Sequence, residues 1–460
     1  MKKIIFFFLF LAFICELHIN LSGCAQVISP TGGARDSIPP VLLSANPKDG
    51  TTNFTGNRIT LNFNEYVVID QLRENLLVSP TPKNDPYVDF KLRTVTIKIR
   101  DTLEPNTTYT VNLGDAIRDL NENNPFKNFS YVFSTGNVID SSEFSGKVEV
   151  AETGKIDTTL LVFLYKNLYD SAVRKEKPKY ISKVNPKGEF HFKNLSPGTY
   201  NAYALLDADG SKTYNSKSEL FAFADSPVVV NDHSKSINLY AYVEEKPVTP
   251  VVKATPNQEK KLKYTTRIPA ENQSLLSDLV VEFNRPLKNF SASKIFITDT
   301  ANVIDHNAMV NIDSTLKKVT ISNKWVPGTD YRLVILKEIG GDSTGASLVK
   351  SDTIHFKAKN ETDYGSIKVR IRNFDASKNP VLQIVSGNEV VNGYPLSSPT
   401  WSAPLMNPGD YEFRILYDEN KNGVWDPGNF LQKKQPEKVI RIQQKISIKA
   451  NWDNETDISL

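Results

Sequence analysis

Pro105-Asn-Thr-Thr-Tyr109-Thr-Val, Pro197-Gly-Thr-Tyr200-Asn-Ala-Tyr, Pro327-Gly-Thr-Asp-Tyr331-Arg-Leu and Pro408-Gly-Asp-Tyr411-Glu-Phe are four versions of one short phrase. In each, Pro fixes φ for a turn, Gly or Asn follows with an unusual backbone angle, and a Tyr leads into a strand. Pro and Tyr stand four apart in the first and third copies and three apart in the second and fourth. That spacing predicts two kinds of β domain in alternation: an all-β chain of four tandem β-sandwiches in A-B-A-B order.

Working outward from the first phrase, Ile59, Leu61 and Phe63 alternate as the inner face of a strand, and Val95, Ile97 and Ile99 do the same. The stretch Leu113 to Leu120 is expected to be a connection and Tyr131-Val-Phe-Ser-Thr135 a closing strand. A Pro47 to Gly50 turn, a Phe63-Asn64 strand end and a terminal Phe-Ser-Thr, in that order, resemble the SbsA-type bacterial Ig-like domain over 41–137. Around the second phrase, Gly188-Glu-Phe-His-Phe-Lys-Asn-Leu-Ser-Pro-Gly-Thr-Tyr200 resembles the prealbumin-like, carboxypeptidase-regulatory type of sandwich over 143–243. The resemblance implies a fold and says nothing about catalysis. Both halves then recur: 262–360 repeats the Ig-like pattern (Leu279-Val-Val-Glu-Phe-Asn284 over Ile59-Thr-Leu-Asn-Phe-Asn64), and 364–460 repeats the prealbumin-like one. Between the pairs, 244–261 is Pro-rich and charged, a semi-rigid linker expected to let the two pairs reorient.

Lys2 and Lys3 precede an apolar run from Ile4 to Cys15, too short for a bilayer span of about 20 residues and suited to an export signal over 1–23. Leu21-Ser22-Gly23-Cys24 resembles the lipobox of bacterial lipoproteins. The resemblance implies cleavage before Cys24, lipid on its sulfur (palmitate among the acyl chains), and a Bacteroidetes-type exported lipoprotein anchored to the outer membrane. Several chains are needed for stable anchoring. The following stretch, 24–40, is expected to be a flexible tether. It carries no acidic cluster, so periplasmic and cell-surface faces stay equally open.

The chain has 460 residues, 55 basic against 52 acidic, a net charge of +3, and 24 Phe with 18 Tyr. Balanced, interspersed charge gives no footprint for nucleic acid, while the aromatics suffice for several cores. Of the two cysteines, Cys15 lies in the expected signal and only Cys24 would remain, which excludes a disulfide framework.

The sharpest candidate for chemistry is Asp418-Glu-Asn-Lys-Asn-Gly-Val-Trp-Asp426. Asp418, Asn420 and Asn422 offer oxygens at alternate positions, Gly423 permits a reversal, and the Val424 carbonyl and Asp426 follow, as at the start of a calcium loop. Dockerins and the B-type repeats of bacterial surface proteins carry similar loops. Two carboxylates imply weak Ca²⁺ affinity, of order 10⁻⁴–10⁻³ M. A polar turn bonded to its own backbone is the competing reading. Gly341-Asp-Ser-Thr-Gly345 spells a nucleophile elbow but lacks the helix that must follow it. His191 and His355 alternate away from their cores, and no paired His suggests zinc. Trp325 and Trp401 fall at core positions of their repeats, whereas Trp425 and Trp452 are candidates for a sugar-stacking platform. Tyr109, Tyr200, Tyr331 and Tyr411 are read as structural. Asp followed by Ser or Thr and a small or aliphatic residue recurs, for example at Asp101, Asp157, Asp299, Asp313 and Asp342, and resembles the O-glycosylation acceptor of Bacteroidetes-type exported proteins.

The expectation is therefore a non-catalytic cell-envelope lipoprotein, a spacer or an adhesion and docking module for an envelope protein. A glycan-binding surface lipoprotein is the first alternative and a hydrolase the second.

Overall fold

A computed structural model describes residues 35–246, 261–268 and 272–460, and the chain divides into two compact units, 1–139 and 140–460. Among the described residues the structure is almost entirely β, because alternating apolar residues bounded by Gly, Pro and Asn turns can bury one face only as strands. Among the described residues four large hydrophobic cores form, each from one continuous stretch of chain, with a small cluster of Val381, Leu416 and Val439 beside the last.

In the first unit, Leu42–Asn46, Arg58–Phe63, Thr94–Lys98 and Tyr87–Lys91 pair in that order as an antiparallel sheet. Leu77–Ser79, Thr108–Gly114 and Phe129–Ser134 make a second sheet that shares its core. Ile59, Leu61 and Phe63 are at most 1% exposed, as their alternation predicts. Each such side chain contributes roughly 1.5–3 kcal/mol by leaving water. The Leu113 to Leu120 stretch differs from expectation. It contains a short strand, Ile117–Asp119, paired with Val67–Ile69. Ala116 and Ile117 are fully buried there, and buried backbone must find hydrogen-bond partners.

The second unit holds three of the large cores. Its first domain pairs Glu189–Leu195, Ser142–Val150 and Ile237–Ala241 in one sheet, and Tyr180–Lys183, Leu161–Tyr165, Gly198–Leu205 and Phe221–Phe223 in the other. Its last domain repeats that order with Thr400–Met406, Gly365–Arg372 and Asp453–Ser459, and with Glu389–Pro395, Pro380–Ser386, Gly409–Tyr417 and Val439–Arg441. In both, the first and last strands run parallel, Gly146 to Val150 beside Ile237 to Ala241 and Ser366 to Arg372 beside Asp453 to Ser459. Glycine opens the first pairing and immediately precedes the second, because a Cβ on Gly146 would lie 2.3 Å from the Ile237 carbonyl oxygen, and one on Gly365 2.4 Å from that of Lys449. Between these domains, Tyr264–Thr266, Leu279–Phe283, Lys318–Ser322 and Met309–Ile312 form one sheet. Asn272–Gln273, Asp352–Ala358, Asp330–Ile335 and Ile295–Thr298 form the other.

The Phe-Asn strand ends noticed in the sequence have one job in the first unit and in the stretch 262–360. Asn64 Oδ1 accepts the Val41 N–H at 2.7 Å while its own N–H donates to the Val41 carbonyl at 3.0 Å. Asn284 does the same to Lys263, at 2.9 and 3.0 Å, so each Asn locks the entry of the first strand.

Pairs free to reorient about the linker are not what the second unit contains. Residues 247–260 of that linker lie outside the described residues, yet the domains on either side of the Ig-like stretch pack directly on one another. Phe430 of the last domain, 1% exposed, sits among Phe221, Phe223 and Tyr203 of the first at centroid separations of 5.2, 5.4 and 5.8 Å. Burying those rings outweighs the freedom lost by docking.

Candidate functional site

The four turn tyrosines all reach back to the residue before the proline, by two different bonds. Tyr109 and Tyr331 accept through Oη the backbone N–H of Glu104 (2.8 Å) and Val326 (3.2 Å). Tyr200 and Tyr411 donate through Oη to the carbonyls of Ser196 (2.8 Å) and Asn407 (2.9 Å). The residue after the proline is left-handed in the four-apart copies, Asn106 at φ 49° and Gly328 at φ 67°, whereas Gly198 and Gly409 of the three-apart copies stand at φ 159° and 155°, so the two spacings go with two different turns. Tyr200 is fully buried, and burial pushes its hydroxyl up to about 12.

The Asp418 loop is closed on itself. Asp418 is 2% exposed, and its carboxylate accepts the N–H of Asn422 at 3.2 Å and of Gly423 at 2.7 Å. Asn420 and Asn422 turn their side-chain amides to Asp426, the second at 2.9 Å. Val424 is exposed, and its N–H donates to Asn422 Oδ1 at 2.7 Å. A residue that sequence reasoning missed clamps the stem. Glu437, 2% exposed, accepts the N–H of Glu419 at 2.8 Å and of Asp426 at 3.0 Å. Burial pushes the Glu437 carboxyl up, and the nearby Asp426 and Asp418 add to that against the two N–H bonds. Asp418, Asp426 and Glu437 thus surround one loop. Among the described residues, however, no three His, Cys, Asp or Glu side chains are gathered to hold a metal ion. The corresponding loop of the second unit's first domain is likewise turned inward, Asp207 and Asp209 accepting the N–H of Lys212 (3.0 Å) and Ser211 (2.8 Å).

The two candidate stacking residues do not meet. Trp425 is half-buried against Val381, Leu416 and Val439, with Nε1 donating to the Glu437 carbonyl at 2.9 Å. Trp452 is 61% exposed, with the Lys449 ammonium 5.1 Å from its ring centroid. Trp425 packs by the Tyr417 end of Gly409–Tyr417, and Trp452 follows the strand that pairs with its Gly409 end. Nine residues of strand, roughly 30 Å, separate those ends, so no single aromatic row exists.

In Gly341-Asp-Ser-Thr-Gly345 the acid is structural. Asp342 meets Arg285 Nη1 at 2.6 Å and accepts from Thr344 Oγ1 (2.7 Å), Thr344 N–H (2.8 Å) and Ala346 N–H (2.9 Å). The Thr344 hydroxyl and the Arg285 guanidinium hold its carboxyl well below the usual carboxylate range. A turn and then Asp352–Ala358, not a helix, follow Gly345. His191 and His355 are exposed, and His191 Nε2 lies 2.8 Å from Glu143 Oε2. Trp325 is buried at 5% exposure, while Trp401 is half-buried. Three of the Asp-Ser/Thr sites are turns: Asp157, Asp299 and Asp313 each accept hydrogen bonds from residues just after them, and the hydroxyl residues Thr158, Thr300 and Ser314 are exposed. Cys24 lies outside the described residues, and among those described no helix is long and apolar enough to cross a membrane.

Residues 36–135 match the family described as bacterial Ig-like domain. No curated protein matches the chain. Among solved structures, the major pilin subunit BcpA of Bacillus cereus overlaps 69% of this chain and 99% of its own at 11% identity and a TM-score of 0.18. Native alpha-2-macroglobulin from Escherichia coli, spanning domains MG0-NIE-MG1, overlaps 40% of this chain and 72% of its own at 12% identity and a TM-score of 0.20. The T6 backbone pilin of Streptococcus pyogenes overlaps 66% and 81% at 9% identity and a TM-score of 0.16. Overlaps at this level do not bear on what this chain does.

Proposed function

We propose that this chain is a non-catalytic lipoprotein of the cell envelope, held to the outer membrane through lipid on Cys24, and that its β domains serve as a spacer or docking module for an envelope protein. The observation that carries this reading is how the chemistry-bearing residues are used. Asp342 and Asp418 each hold a turn through bonds to neighbouring amides and side chains, rather than presenting free oxygens to a cleft. Domains of this build offer loops and edge strands to partners. The exposed indole of Trp452 supports a second reading, in which the partner is a glycan.

The test is labelling with radioactive palmitate and membrane fractionation of the wild type and Cys24→Ser, followed by protease shaving of intact cells and affinity capture. Label confined to the wild type, with Cys24→Ser released from membranes, supports the anchor. Equal membrane association of both proteins removes it, and a captured envelope protein or glycan decides between the two readings.

A further inference from the structure

We infer that the aromatic face of the domain spanning 143–243 is a recognition site for a short Phe-anchored segment, and that residues 428–435 of the last domain are its resident ligand. This inference rests on the packing inside the second unit and not on the proposed envelope role.

Every part of the segment meets a matching group. Phe430 presents its edge to Phe221 and Tyr203, at interplanar angles of 71° and 89°, in a bed of stacked rings where Tyr214 lies 4.0 Å from Phe221. The backbone N–H of Phe430 donates to Glu244 Oε1 at 3.0 Å. Lys433 pairs with Asp170 at 2.5 Å, its ammonium 4.4 Å from the Phe430 centroid and 5.6 Å from that of Phe223. Gln435 Nε2 donates to the Phe223 carbonyl at 3.0 Å and to Asp225 Oδ1 at 2.7 Å. Gly428 admits the close approach, since a Cβ there would fall 2.6 Å from Tyr242 Cζ. The segment is a tight turn closed by paired Asn429 and Lys434 bonds at 2.8 and 3.0 Å, and an apolar anchor flanked by polar bonds is how a preformed loop is held in a groove.

The rest of the contact is less well matched. Gln383, Arg414 and Arg441 stand side by side across three strands of the last domain, and Gly154 of the first domain lies against Arg441. Glu412 pairs with Arg414 Nε at 2.7 Å and with Arg441 Nη2 at 2.9 Å, while Gln383 Oε1, Arg414 Nη2 and Arg441 Nε are buried without a protein hydrogen-bond partner. The Phe430 segment supplies the apolar anchor of the contact.

The test places a protease recognition sequence between residues 247 and 260 of the full chain, cuts it, and follows the two pieces by size-exclusion chromatography. The expected result is co-elution of the wild-type pieces, and separation when Phe430→Ala is present, a loss of association of 100-fold or more. Separation of the wild-type pieces overturns the inference, and so does continued co-elution of the Phe430→Ala pieces. If Phe430→Ala does not fold, Lys433→Ala with Gln435→Ala is cut in its place. Faster separation than wild type is then expected, and an unchanged rate overturns the inference.

Discussion

Tyr109 Oη accepts the backbone N–H of Glu104 at 2.8 Å, whereas Tyr200 Oη donates to the carbonyl of Ser196, so one sequence phrase fastens the two different backbone groups of the residue before the proline. The amide is taken where Pro and Tyr stand four apart and the carbonyl where they stand three apart.

Those bonds differ in burial, and so will their loss. Tyr200 is fully buried and also shares Ser196 Oγ at 2.8 Å, while Tyr411 is half-buried. Tyr200→Phe should cost about 1–2 kcal/mol and Tyr411→Phe about 0.5–1 kcal/mol, because a buried unpaired carbonyl is the more expensive. Urea denaturation of the two variants checks the order, and a larger loss at Tyr411 contradicts it.

Acid should weaken the chain at two named carboxylates. Asp342 is held low by the Thr344 hydroxyl and Arg285. Burial pushes Asp119 up, but the N–H groups of Glu122, Asn124 and Asn123 leave it lowered on balance. A depressed folded value means that the stabilisation is present above the unfolded value of about 3.9 and is lost as pH falls through the lower folded value. Asp342→Asn should therefore lower the melting temperature at pH 7 by several degrees, with the gap to wild type narrowing below about pH 4. A gap that stays constant down to pH 2 contradicts this.

The Asp418 oxygens are taken by the N–H groups of Asn422 and Gly423, so thermal melts in 10 mM Ca²⁺ and in chelator should coincide. A calcium site with an affinity of order 10⁻⁴–10⁻³ M would instead add about 1.4–2.7 kcal/mol, and a stabilisation of that size that Asp418→Asn abolishes contradicts the closed turn.

Replacing the two loop tryptophans separates packing from recognition. Trp425→Ala removes a half-buried ring and its bond to Glu437 and should cost about 2–3 kcal/mol, whereas Trp452→Ala should stay within about 0.5 kcal/mol. If the partner is a glycan, Trp452→Ala alone abolishes binding on a glycan array while leaving the melt unchanged. Full retention of binding by that variant excludes this indole as the platform.

Much of the sheet structure was legible because strand alternation and turn residues are local: Ile59, Leu61 and Phe63 announce their face within six residues. The turns that lead into the four tyrosines were legible for the same reason, though not which backbone group each tyrosine would take. Glu437 was not legible, because its partners Glu419 and Asp426 are brought to it by the loop's return and no local spacing marks it. Phe430 was hidden for a deeper reason. Its partners lie some two hundred residues earlier, and the only local trace is a Phe-Leu pair in a stretch otherwise rich in Lys, Gln, Asn and Gly.

The parallel pairing of first and last strands in two of the domains has a mechanical consequence. Tension between the entry of Gly365–Arg372 and the exit of Asp453–Ser459 would act along both strands in opposite senses, loading their ladder in shear together with the Arg370–Glu455 and Arg372–Asp457 pairs. A ladder strained all at once yields at higher force than one peeled bond by bond, so a pull at these two ends would meet the stiffer arrangement.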